Sequence, residues 1–154
     1  LIDEWMTPMM TPEMAEEYDT PEKLAQATLI HDDSISFFKV PTSWEAWCKA
    51  AEVELDTSHG PRFSQADHAI DAAIAGAGVV LGRVSLATRA LEANRLVAPF
   101  EVGLISDAQF RFICPYGHEK RPHIAAFETW VLEEIQTSKR FADGRRLLHA
   151  VDLL

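Results

Sequence analysis

The segment "GPRFSQADHAIDAAIAGAGVVLGR", Gly60 to Arg83, constrains the fold of this chain more than any other stretch. A short extended piece leads into Ser64, a good N-cap, and Asp67 three residues on completes a box-like helix start. Ala66, Ala69, Ile70, Ala73, Ile74 and Ala77 then recur as one broad apolar face, with Asp67, His68 and Asp71 on the other. So many alanines let the helix approach a sheet closely. Gly76 and Gly78 end the helix, and "VVLG" follows as a buried strand. A strand, a helix and a second strand in this order form the unit of α/β layer folds.

The remainder of the chain keeps that alternation. "EWMTPMM" reads as a strand, and Thr11 with Pro12 starts a short helix. Thr20-Pro21-Glu22 repeats the start signal for "PEKLAQA", and "TLIH" is a short strand ended by Asp32 and Asp33. Ser43 opens a helix whose Trp44, Trp47, Cys48 and Ala51 share one apolar face. Such a stripe reads as core, with Trp44 the expected exception because it stands at the helix start beside the loop "VPTS". "SLATRALEAN" places Leu86, Ala90 and Leu91 inward, and "RLVAPF" is extended. "QFRFIC" alternates as a strand, and "HIAAFETWVLEEIQ" is a helix packing through Ile124, Phe127, Val131 and Ile135. The fold class expected is therefore α/β with a mainly parallel sheet.

Composition narrows the function. The net charge is −10, with 13 acidic and 3 basic residues in 1–59 but 2 acidic and 4 basic in 137–154. Binding to nucleic acid needs clustered Lys and Arg, so this chain by itself is a poor candidate for it. The basic tail "SKRFADGRR" reads as a solvated end. No apolar run approaches the roughly 20 residues of a membrane helix. The opening "LIDEWMTPMM" has no basic region of the kind a signal peptide carries, and with no initiator Met the chain reads as a fragment. Cys48 and Cys114 belong to no CxxC pair and read as buried free thiols.

Catalytic chemistry finds little support. Ser64 lacks a GxSxG elbow and a base assignable from spacing. The six histidines show no metal-ligand spacing, and "HDD" at 31–33 reads as an acidic turn before it reads as a metal or acid/base cluster. "GAGVVLG" lacks the GxGxxG order and precedes a strand instead of following one, so no dinucleotide cofactor is expected. No catalytic residue, metal or cofactor is assigned. Ser64 and Gln65 instead mark a helix N-terminus just past a strand, where backbone N–H groups can meet an anionic ligand or serve only as a cap.

In their order and spacing, "TPEKLAQATLIHDDS", "W-x-x-W-C-K-A-A-x-V", the Gly60–Phe100 block and "FRFICP…RPHIAAFETWVLEEI" resemble the effector-binding domain of LysR-type transcriptional regulators. The likeness is strongest to the branch that includes the glycine-cleavage activator and the β-lactamase regulators, and it runs from Leu1 to about Ile135.

The resemblance implies a fold like type 2 periplasmic binding proteins. Two α/β subdomains are joined by crossover strands, and a small-molecule effector occupies the cleft between them. Residues 1–136 would be a partial domain, with about 1–100 the second subdomain, about 101–136 the return to an incomplete first one, and 137–154 a tail. Ser64, Gln65, Thr42, Ser43 and Trp44 would face the effector. The winged helix-turn-helix that would reach operator DNA has no counterpart in this chain. A cytoplasmic homo-oligomer without membrane contact is expected. A solute-binding protein of the same fold, serving a transporter, is the alternative.

Overall fold

The computed structural model describes residues 1–35, 40 and 42–153. Six strands form one sheet: β1 (Ile2–Met9), β2 (Leu29–Asp32), β3 (Arg62–Phe63), β4 (Val79–Arg83), β5 (Val102–Phe110) and β6 (Arg146–His149). Their order is β3-β2-β4-β1-β5-β6. β2 runs parallel to β3 and to β4, and β5 parallel to β6, while β1 is antiparallel to both β4 and β5. The mainly parallel sheet expected from the alternation is present, with β1 the one strand against the grain.

Among the described residues there are five α-helices: α1 (Pro12–Glu17), α2 (Trp44–Ala51), α3 (Ala66–Ile74), α4 (Val84–Glu92) and α5 (Pro122–Lys139). Alternation along β1 builds a core on each face of the sheet, because successive strand side chains point to opposite sides. Met6 and Met10 join Trp44, Trp47 and Leu104 on one face. Trp5 and Met9 join Ala69, Ala73, Val80 and Val84 on the other. The alanines of α3 are buried, as close helix–sheet approach requires. Thr11 caps α1 by accepting from the Met14 amide, and Ser43 caps α2 by accepting from Ala46.

Several local expectations change. Gln65, not Ser64, is the N-cap of α3, and its side chain makes no capping hydrogen bond. Trp44 is 1% exposed, so both tryptophans of α2 belong to the core. The Pro41 of its flanking loop "VPTS" lies outside the described residues. α4 buries Val84, Ala87 and Ala90, leaving Leu86 44% exposed. The strand expected at "QFRFIC" ends at Phe110 and starts at Val102, since pairing with β1 fixes its span. α5 buries none of its residues, Phe127 included.

The segment after α5 folds back. β6 adds a parallel edge strand beside Val102–Ile105. Arg145 holds it there, donating to the carbonyls of Phe141 at 2.7 Å and Ala98 at 2.8 Å and to that of Phe100, with its guanidinium 5.7 Å from the Trp5 ring centre.

Candidate functional site

The carboxyl ends of β2, β3 and β4 lie side by side, because Asp32 pairs with Phe63 in register and Ile30 with Val80. In open α/β sheets this edge is where ligands bind. A cavity of about 220 Å³ opens here, on the α2 face of the sheet. Trp44 and Leu81 contribute its apolar wall, and His31, Asp32, Thr42 and Glu45 are among its polar residues.

Each polar group has a traceable environment. Arg62 grips Asp33 through two parallel hydrogen bonds of 2.9 and 2.6 Å, so this rim pair is mutually satisfied. The Nε2 of His31 lies 3.0 Å from the His59 carbonyl oxygen, which can only accept, so that nitrogen carries the proton. Burial pushes the Glu45 carboxyl up, but hydrogen bonds from Ser43, its own backbone and Thr57 outweigh it and leave the group below its ordinary value. Trp44 spends its Nε1–H on the Ile30 carbonyl at 3.0 Å and meets Trp47 edge-on. Thr42 differs from these: it is buried, lines the cavity, and its hydroxyl has no hydrogen-bond partner among the described residues.

Of the five residues named from the sequence, the cavity gathers Thr42, Ser43 and Trp44. Ser64 and Gln65 stand on the same sheet edge, directly after Phe63, but they are exposed and do not line it. Asp33, Arg62 and Glu45 were not named for binding. The "HDD" turn pointed toward the first of these, whereas its pairing with Arg62 spans 29 residues and leaves no mark in local sequence. Among the described residues, no group of three or more His, Cys, Asp or Glu is placed to hold a metal ion. No helix among them is long and apolar enough to cross a membrane.

Sheet order, parallel strand ends and a cavity at their carboxyl edge define a ligand-binding α/β domain. Residues 1–136 match the LysR substrate binding domain, and the chain belongs to that family. It is 32% identical over 142 residues to the HTH-type transcriptional regulator DsdC of Escherichia coli, covering 90% of this chain and 46% of that protein. It is also 32% identical over 136 residues to the glycine cleavage system transcriptional activator of Escherichia coli, covering 86% and 43%. The chain thus spans under half the length of these curated relatives.

Among solved structures, the effector domain of AmpR from Pseudomonas aeruginosa matches with a TM-score of 0.63 at 23% identity, covering 94% of this chain and 66% of that one. The AmpR effector binding domain from Citrobacter freundii gives 0.60 at 21% identity, covering 86% and 64%. These structures support the periplasmic-binding-protein type of fold. The curated relatives are transcriptional regulators, neither enzymes nor solute-binding proteins of transporters, which removes the alternative reading.

Proposed function

We propose that the chain is the ligand-sensing part of a LysR-type transcription regulator and holds a small-molecule effector at the carboxyl edge of β2, β3 and β4. One observation carries the site: the buried, unpartnered hydroxyl of Thr42 lines a cavity at that edge. A buried polar group without a partner is costly, and a ligand that satisfies it recovers that cost as affinity. Thr42 and Ser43 form the polar side of the cavity and Trp44 its floor, while Ser64 and Gln65 meet any part of the effector that extends past the rim.

In the whole regulator the effector would favour one arrangement of the domain over another, since binding both equally shifts nothing. That change would pass to a DNA-binding helix-turn-helix outside this chain, in a cytoplasmic oligomer. The helix-turn-helix type of regulator to which DsdC belongs supports this reading. The test is a thermal-shift screen of amino acids, aromatic acids and cell-wall fragments, followed by calorimetry on each hit. Thr42→Val should weaken the hit at least tenfold while the fold survives. A hit that binds Thr42→Val as tightly as the parent, or no hit from the three classes, would overturn the assignment.

A further inference from the structure

A second cavity, of about 170 Å³, lies against Trp5 and Val84 and so on the opposite face of the sheet from the first. Its one buried ionisable group is Glu4, on β1, which is 2% exposed. Oε2 of Glu4 accepts a hydrogen bond from Ser85 Oγ at the start of α4. Oε1 is buried with no hydrogen-bond partner among the described residues. Trp5, Val84, Ile105 and Leu147 form the apolar part of the lining, and Ser85, Ser138, Asp3 and Lys139 line it beside Glu4.

A buried carboxylate oxygen seeks a donor, preferably a cationic one. The cation already nearby is Arg83, whose Nε is directed toward Asp32 at 3.8 Å. Lys139 makes no ion pair with Glu4, and Asp3, the other acid on the wall, accepts from Gln109 Nε2 at 2.7 Å. The cavity volume is close to the roughly 150 Å³ that admits one benzene ring.

We infer that this cavity is a binding site for a small protonated amine, its ammonium donating to Glu4 Oε1 and its short carbon chain lying on Trp5, Val84, Ile105 and Leu147. The site goes beyond the effector reading, because it shares no residue with the first cavity. Part of its wall comes from Ser138, Lys139, Ala142 and Leu147, past the segment matched to the family.

The test titrates the chain with propylammonium chloride, with propionate and tetramethylammonium as controls, following the Ser85 and Ile105 backbone amides by NMR. Saturable shifts are expected with propylammonium alone. Glu4→Gln should weaken binding at least tenfold, and Lys139→Met, which removes a like charge from the lining, should tighten it. Ala142→Leu, which narrows the cavity with the carboxyl in place, should abolish binding and keeps the test decisive if Glu4→Gln does not fold. Equal shifts with a control, equal binding in Glu4→Gln or Ala142→Leu, or no saturation in the parent and in Lys139→Met, would overturn the site.

Discussion

Arg83 Nε lies 3.8 Å from Asp32 Oδ2, across the boundary between two parallel strands, and that nitrogen is buried with no hydrogen-bond partner among the described residues. The contact is an ion pair without the geometry of a hydrogen bond. Asp32 lines the first cavity, and the same guanidinium draws on Glu4, which lines the second. One arginine therefore lies between two acids that line cavities on opposite faces of the sheet. Asp32→Asn keeps the Oδ1 that accepts from the Ser34 amide and removes only the charge facing Arg83. It should destabilise the fold by about 1–3 kcal/mol, the range for a charged partner removed from a largely buried site. Urea unfolding of the variant and the parent checks this, and a change under about 0.5 kcal/mol would place Arg83 among ordinary surface charges.

Ser43 and Ser64 looked alike in sequence, each a serine before an apolar helical face. Only Ser43 has its side chain on a helix amide, that of Ala46 at 3.4 Å. Ser43→Ala should therefore cost about 1 kcal/mol, as loss of a real cap does. Ser64→Ala, one residue outside the α3 cap, should stay within about 0.5 kcal/mol. Thermal unfolding of the two variants side by side decides it, and equal losses would mean that Ser64 caps α3 in solution.

That pair also shows where the sequence was legible. Periodicity revealed α2, α3 and β4 because burial on one face leaves a repeating apolar signal, and Thr11-Pro12 is a local start signal that α1 obeys. The limits of β5 were not readable, since they depend on pairing of Ile2 with Phe110, 108 positions away. α5 misled for a related reason: an apolar stripe says that a helix can be buried, not that this chain supplies the surface to bury it. At the site, Thr42 and Ser43 were readable as residues at a helix start. The Arg62–Asp33 clasp and the isolation of Glu4 arise from long-range packing and were not.

The two cysteines should differ in reactivity, contrary to the expectation that both are buried. Burial, with the Glu45 charge adding to it, pushes the Cys48 thiol up to about 11, whereas Cys114 is half-buried. The thiolate is the reactive form, so at neutral pH Cys48 is both hidden and protonated. Titration with an aromatic disulfide reagent at pH 7.5 should label one thiol per chain in the folded state, and the second only in denaturant. Peptide mapping should place the first label on Cys114. Fast labelling of both would mean that α2 opens readily.

The segment that forms β6 should depend on one side chain. Arg145 satisfies three backbone carbonyls, those of Ala98, Phe100 and Phe141. Burial holds the Arg145 guanidinium below its ordinary value, but it stays charged at any physiological pH. Arg145→Leu removes the donors while keeping much of the bulk over Trp5. Hydrogen exchange at Leu147 and Leu148 should accelerate at least tenfold in the variant, with α3 amides unaffected. Unchanged exchange at β6 would show that pairing with β5 alone retains the segment.

Glu4 should make stability fall as pH rises. Desolvation raises its carboxyl above the ordinary 4.5, and the Ser85 hydrogen bond and the Arg83 charge offset this only in part. The folded chain thus holds the proton more tightly than the unfolded chain, so unfolding releases protons through that window. The stabilisation is complete below the unfolded value and is lost as pH climbs through the folded one. Other groups bend the curve differently; Asp56, held low by its hydrogen bonds with Ser58, favours the folded state above its unfolded value. The difference between the parent and Glu4→Gln isolates Glu4, because glutamine keeps the shape and carries no titratable proton. Urea unfolding in steps from pH 4 to 8 should show the parent losing ground to the variant as pH rises above the ordinary 4.5. A flat difference would mean that Glu4 ionises in the folded chain as freely as in water.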